Sequence, residues 1–392
     1  IMNLKMFRSL LTAVFLITAT SLGLHAAEWK YAMGEGESDP QGIYATAFKD
    51  YIEENSRHTI KIYPVGSLGE ETDMLEQTRA GILQFLGQST GYMGGTIPEM
   101  DIFTLPYVMP TDTKQLDYFF KNSKVINEML PEIFRKHGLE LLSIFPEGEM
   151  AVTTLEPFHS PEDLKGKKMR VMPGSPILVE TYEAFGASPV PMSWGDLIGA
   201  LKTKMVDGQE NPTVWIEAYD LDNLTNVLTY TGHGHFNASA SANKKFFDGL
   251  SKRDQKLVRL AAEHAHQTIL QEAQKLDAYG LGRIVRTNPS YKIVTLTEEE
   301  RAPFKKAAEA VQASFASKSA SNKKVLDQMM KDLKEAGEGL NSGVRAVVSA
   351  FKTQTDSNGI PLISGTLAEF YETAPEYEKA IASVLHSHLE AI

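Results

Sequence analysis

The sequence predicts an α/β protein of two domains. Short runs of alternating apolar residues recur between amphipathic helical stretches, and the 392 residues, 42% hydrophobic and 23% charged, suffice for two globular domains with separate cores. The strand-like runs are Thr59–Tyr63 (TIKIY), 139–145 (LELLSIF) and 168–172 (KMRVM). Helix starts are marked by Ser160 before Pro161, by Ser193 with Asp196, and by Thr297 with Glu300, which is spaced for a capping box. Between 41 and 55, Ile43, Ala47, Phe48, Tyr51 and Ile52 fall on one helical face, as a helix covering a sheet requires, so this stripe is read as core. The stretch 251–279 carries no Gly or Pro and keeps Leu257, Leu260, Ala261 and Leu270 at helical spacing, which predicts one long helix. No fixed-period repeat or low-complexity linker is visible, so a domain boundary should fall where strands cross between two sheets. Past about Leu340 the character changes: a helical piece with Val344, Val347, Val348 and Phe351, a turn (TDSNGIP), then a helix-like run from Pro375. No chemical role attaches to this tail.

Residues 1–27 read as a cleaved secretory leader. Lys5 and Arg8 precede an apolar run from Leu10 to Leu24 that closes on Ala26 and Ala27. The run is shorter than the roughly 20 residues a membrane-spanning helix needs, and a charged, aromatic sequence (Glu28, Trp29, Lys30) follows at once. Leu24 or His25 stands where a small residue is preferred, so the cleavage position is open by one residue. The chain has no cysteine, which excludes a disulfide scaffold, a thiolate metal site, a cysteine nucleophile and a lipidated N-terminal Cys. Its net charge of -11 disfavours nucleic acid and anionic lipid as partners but does not oppose a small anion held by local groups. The fifteen Met residues are scattered, as core filler usually is.

Local signatures of catalysis are missing: no nucleophile elbow, HExxH, P-loop or dinucleotide fingerprint occurs. GEGES (34–38) has glycines but is expected to lack a preceding strand, a helix opening and an acidic partner in register. The pairs His264/His266 and His386/His388 have a spacing of two, which in a helix turns the rings to different faces and suggests solvated surface. His233/His235 lie in a loop-like HGH segment, where metal binding is a minor alternative. Neither a catalytic residue, nor a metal, nor a cofactor is therefore expected.

The informative stretch runs from Lys168 to Pro212 (KMRVMPGSPILVETYEAFGASPVPMSWGDLIGALKTKMVDGQENP). A strand ending in Arg, a Pro/Gly turn into a helix, GASPVPM, a helix with an aromatic and an acid, and VDGQENP together resemble the core of the solute-binding proteins of tripartite ATP-independent periplasmic (TRAP) transporters. The resemblance extends from about Trp29 to about Leu333 and includes YPVGSLGEE and LPYVMPTD. Within that family it is most similar to the ectoine and hydroxyectoine binding subgroup, through HTIKIYPVGSLGE, EQTRAGILQFLGQS, INEMLPEIFRKHGLELL, PEGEMAVT, VETYEAFGAS and DGQENP.

The resemblance implies a periplasmic two-domain α/β binding protein, with an interdomain ligand cleft, crossing hinge strands and a long bracing helix. The expected division is 28–149 plus 237–276 for the first domain, 150–236 plus 277–340 for the second, and 341–392 as a helical extension. It implies a small-molecule ligand captured by domain closure and handed to TRAP membrane permease subunits, with no insertion of this chain into the membrane. Arg170 is then the carboxylate anchor; a guanidinium suits that part because its rigid fork of donors matches two carboxylate oxygens. Its bland alternative is a surface Arg ending a strand. Asn211 is implied as a second donor, held extended by Pro212; alternatively it is a turn Asn bonding its own backbone. Carried over by position, the subgroup's acid falls on Glu35 and its aromatics on Tyr92, Trp194 and Phe236. Ectoine carries an amidinium and a carboxylate, so Glu35 and Arg170 would take opposite ends while the rings enclose the cation. Glu35 could equally be an ordinary loop carboxylate. Two departures stand out: Tyr92 replaces a Phe, bringing a hydroxyl that could favour a hydroxylated ligand or recruit a water, and Gly34 stands where a second acid can occur. Met150 replaces the further Arg of sialic-acid-type members, which argues against a large sugar acid. The remaining alternatives are a TRAP protein for a dicarboxylate or hydroxy acid, and a periplasmic enzyme or sensor subunit.

Overall fold

Alternation in EWKYAM turns Trp29 and Tyr31 inward and Glu28 and Lys30 outward, and this strand organises the first of two sheets. The computed structural model describes residues 27–352, of which 113, 274 and 338–352 as backbone only. The expected leader, the TDSNGIP turn, the final helix and the pair His386/His388 lie outside the described residues. The described residues divide into two units: one of 27–88 with Gly138–Ser143 and Ser239–Glu272, the other of Ser89–His137, Ile144–Ala238 and 273–352. Residues 89–137 thus group with the second unit.

The first unit holds a five-stranded sheet ordered β2-β1-β3-β10-β4, with β1 Glu28–Met33, β2 Thr59–Tyr63, β3 Phe85–Ser89, β4 Leu139–Glu149 and β10 His235–Asn243. β1 pairs in parallel with β2 (Tyr31 opposite Ile62) and with β3 (Tyr31 opposite Phe85). The helix Pro40–Asn55 connects β1 to β2 and buries Tyr44, Ala45, Phe48 and Ile52. That face is displaced from the expected one: Ile43, Ala47 and Tyr51 are only half-buried. Tyr44 wins the inner position because its ring packs on Phe48 while its hydroxyl reaches the Ala262 carbonyl at 3.3 Å. GEGES also departs from expectation, since it does stand between a strand and a helix. It still lacks the third glycine of a dinucleotide fingerprint. Gly42 packs so tightly there that a Cβ would lie 2.3 Å from the carbonyl oxygens of Gly36 and Glu37.

The second unit holds a six-stranded sheet ordered β11-β9-β5-β8-β6-β7, with β5 Ala151–Thr154, β6 Lys168–Val171, β7 Ser188–Pro191, β8 Gly208–Asn211, β9 Val227–Tyr230 and β11 Lys292–Thr295. β6 runs parallel to both neighbours, whereas β5 is antiparallel to β8 and β9. Ser160 caps a single short turn, Pro161–Leu164, and Thr297 with Glu300 forms the expected capping box at the start of Glu298–Lys318. The next helix, Ala320–Lys352, runs through position 340 without a break.

The long helix is Lys252–Thr287, and it belongs partly to each unit, as do β4 and β10. Its inner stripe is made of small residues, Ala261, Ala262, Ala265 and Ala273, with Val258 and Ile269, while Leu260 faces solvent. On it His264 is exposed, but His266, expected as surface, is half-buried, bonds the Ser143 hydroxyl at 2.8 Å, and is pushed by burial down to about 4. The two-residue spacing separates their faces, and one of those faces is the inner one. Among the described residues no helix is long and apolar enough to cross a membrane.

The helix outruns its predicted end by passing through Gly280, where a Cβ would meet the Thr213 carbonyl oxygen at 2.7 Å. Gly280→Ala should therefore destabilise the protein by about 1–3 kcal/mol, against the gain helix propensity alone would give. Urea unfolding followed by circular dichroism measures this.

Candidate functional site

Arg170 lies on β6, a strand flanked by β7 and β8, and is only 3% exposed. It is not the surface Arg that would have made it uninteresting. Its Nε donates to the Met192 carbonyl at 3.0 Å and its Nη2 to the Tyr92 hydroxyl at 2.9 Å. The guanidinium sits 5.8 Å from the centre of the Trp194 ring. Both acceptors are neutral, and among the described residues no carboxylate forms an ion pair with it. A buried charge in that condition is costly unless an anion meets it. The arrangement is therefore suited to receiving one.

Trp194 opens the helix Trp194–Lys202 and stands edge-on to Tyr219 (4.9 Å) and Trp215 (6.3 Å), which fix its ring. Ser193 supports that helix start by donating to Asp196 at 2.8 Å. Tyr92 ends the short turn Thr90–Tyr92 and packs in one apolar cluster with Phe236, Met150 and Met172. Asn211 ends β8, buried, opposite Ala151. Its amide donates to the Gln209 side chain instead of its own backbone, as residues two apart on a strand can do because they share a face. The structure thus brings Arg170 against both Tyr92 and Trp194 and sets Phe236 in the same apolar cluster as Tyr92, while no hydrogen bond joins Asn211 to Arg170 among the described residues.

Glu35 belongs to the first unit, whereas the other five belong to the second. It is 5% exposed, and its two oxygens accept from the Gln41 backbone N–H (2.8 Å) and side-chain amide (2.7 Å). Gln41 lies in the first turn of Pro40–Asn55, where the helix dipole favours a carboxylate.

Sequence reasoning passed over the acid next to Asn211. Glu210 is buried, accepts from the Tyr182 hydroxyl at 2.7 Å, and lies 2.8 Å from His233 Nε2. Burial is the largest influence on its carboxyl and pushes it up, but His233, Tyr182 and the charge of Arg170 together outweigh this and hold it below the ordinary value. His233 Nδ1 is bonded to the Thr231 hydroxyl, so the HGH segment serves a buried acid. Among the described residues no cluster of three or more His, Asp or Glu could hold a metal. A charged residue inside the buried strand GQEN was the available signal, and it was absorbed into the motif of its neighbour. Phe236, Met172, Thr90, Glu210, His233 and His235 line one recess of the second unit.

An α/β unit that buries a guanidinium beside aromatic rings, with only neutral acceptors bonded to it among the described residues, has the features of a site for a small anion. The chain belongs to the bacterial extracellular solute-binding proteins, family 7, which residues 31–319 match. It is 43% identical over 334 residues to the ectoine-binding periplasmic protein TeaA of Halomonas elongata, covering 84% of this chain and 98% of that one. To the ectoine/5-hydroxyectoine-binding periplasmic protein UehA of Ruegeria pomeroyi it is 44% identical over 317 residues, 80% of this chain and 93% of the relative. A solved structure of the periplasmic ectoine-binding protein of the TeaABC TRAP transporter of Halomonas elongata superposes with a TM-score of 0.77 at 45% identity, over 78% of this chain and 99% of that one.

His235, 8% exposed, is pushed down to about 4, chiefly by burial and further by His233, against a raising contribution from the Gly148 backbone. Its folded value lies below the unfolded 6.5, so its contribution is complete above that pH and falls away as pH drops toward 4. The loss should reach about 3 kcal/mol near the lower limit. Comparing the pH dependence of unfolding free energy with that of His235→Gln tests this: the variant should show the flatter slope.

Proposed function

We propose that this chain is the extracytoplasmic solute-binding subunit of a TRAP transporter, capturing ectoine or hydroxyectoine in the periplasm for membrane permease subunits. The observation that carries the reading is Arg170, a buried guanidinium whose only acceptors among the described residues are neutral. A ligand carboxylate would supply the charged acceptor that Glu210, bonded to His233 and Tyr182, does not, through bonds of about 1.5–3 kcal/mol each. Asn211 is proposed as a second donor to that carboxylate, Glu35 as acceptor for the ligand's cationic end, and Tyr92, Trp194 and Phe236 as the rings against which it packs. The two relatives named for ectoine binding, at 43% and 44% identity, support the zwitterion. Residues 1–27 are proposed as the export leader.

A second reading, a dicarboxylate or hydroxy acid, draws on Glu35: its oxygens already accept from Gln41, an arrangement that requires no cationic ligand.

A thermal-shift panel of ectoine, hydroxyectoine, glycine betaine, malate and lactate separates the two, since a ligand bound only by the native state raises Tm. Both ectoines should stabilise; silence toward both would sink the ectoine assignment, and a response to malate or lactate would favour the second reading. Arg170→Ala should abolish binding of every acid. Glu35→Gln should weaken only the ectoines, and unchanged ectoine affinity in that variant would remove Glu35 from the site.

A further inference from the structure

Arg170 has five N–H donors on a flexible stem, so a carboxylate would find it ready only if something fixes the plane of its fork. One bond, from Nε to the Met192 carbonyl, leaves the terminal nitrogens undirected. The second, from Nη2 to the Tyr92 hydroxyl at 2.9 Å, sets the direction of the plane. What makes this partner dependable is the docking of its backbone. A Cβ on Gly174, in the turn that follows β6, would lie 2.5 Å from the Tyr92 Cα and carbonyl oxygen. Gly95 N–H donates to the Gly174 carbonyl at 2.8 Å, and a Cβ on Gly91 would meet the Met172 side chain at 2.3 Å. The turn bearing Tyr92 and the residues after it thus pack against the segment leaving β6, most closely where the Tyr92 backbone meets Gly174, four residues beyond Arg170. A side chain at position 174 would therefore displace the Tyr92 backbone, and with it the phenol that Arg170 bonds.

We propose that Tyr92 is the positioning residue for Arg170: its phenol oxygen accepts from the guanidinium and sets the plane of the fork. The inference rests on the reading of Arg170 as carboxylate anchor, and it bears on specificity: Tyr92 then serves ectoine and hydroxyectoine equally.

Two measurements on Tyr92→Phe decide it, one of them without ligand. In nitrogen-15 guanidinium spectra, with Arg170 assigned by its loss in Arg170→Lys, Tyr92→Phe should shift the Arg170 Nη signals and speed their rotation, while circular dichroism shows the fold retained. Unmoved signals overturn the proposal. By titration calorimetry, Tyr92→Phe should weaken ectoine and hydroxyectoine by the same factor, about tenfold, and this factor should vanish in an Arg170→Lys background. Loss confined to hydroxyectoine would show the phenol reading the ligand, and a loss that persists beside Lys would show a general structural effect; either overturns the assignment. A wild-type protein that binds neither ectoine refutes the ligand reading instead, and the spectra alone then decide for Tyr92.

Discussion

A guanidinium withdrawn from water must be met by acceptors, and in this protein the ones nearest to Arg170 are a carbonyl and a phenol. That constraint orders the second unit. β6 carries the charge into the interior, the end of β7 brings Met192 to accept one N–H, and the helix start at Trp194 covers the guanidinium with a ring. Glu210 supplies a negative charge from the neighbouring strand, but its hydrogen bonds go to His233 and Tyr182, so it tempers the potential around Arg170 without neutralising it.

Buried acids elsewhere are settled by different means. Glu35 lies against a helix N-terminus and takes two donors from one residue, Gln41. Glu210 takes an imidazole and a phenol. Asp101 has the Ser175 hydroxyl at 2.6 Å, and burial, only partly offset by that bond, pushes its carboxyl up to about 6.

Much of this was legible in the sequence, for reasons that can be assigned. TIKIY reads as β2 because one face is wet and the other dry, and Thr297 with Glu300 reads as a cap because the two side chains satisfy each other's backbone. Arg170 was found through the motif around it. The inner face of Pro40–Asn55 was misjudged because Tyr44 counts as polar on its tip and apolar on its body. GEGES was misjudged because β1 carries Glu28 and Lys30 in six residues, so its strand character depends on β2 and β3 beside it. The Glu210–His233 pair spans 23 residues and joins two segments with no shared periodicity, so only three-dimensional proximity reveals it. His266 was placed on the surface because spacing separates two faces without saying which is dry.

The contact between Gly280 and Thr213 has a consequence for how such a protein changes over evolutionary time. Thr213 follows Asn211 and Pro212 directly, and it is tied to the long helix a second time through Asp277, which accepts from its N–H at 2.8 Å. The backbone at the end of β8 is consequently clamped and cannot drift to suit a new solute. Lineages that inherit this scaffold would then suit a new solute by exchanging side chains on a fixed frame rather than by moving the strand end.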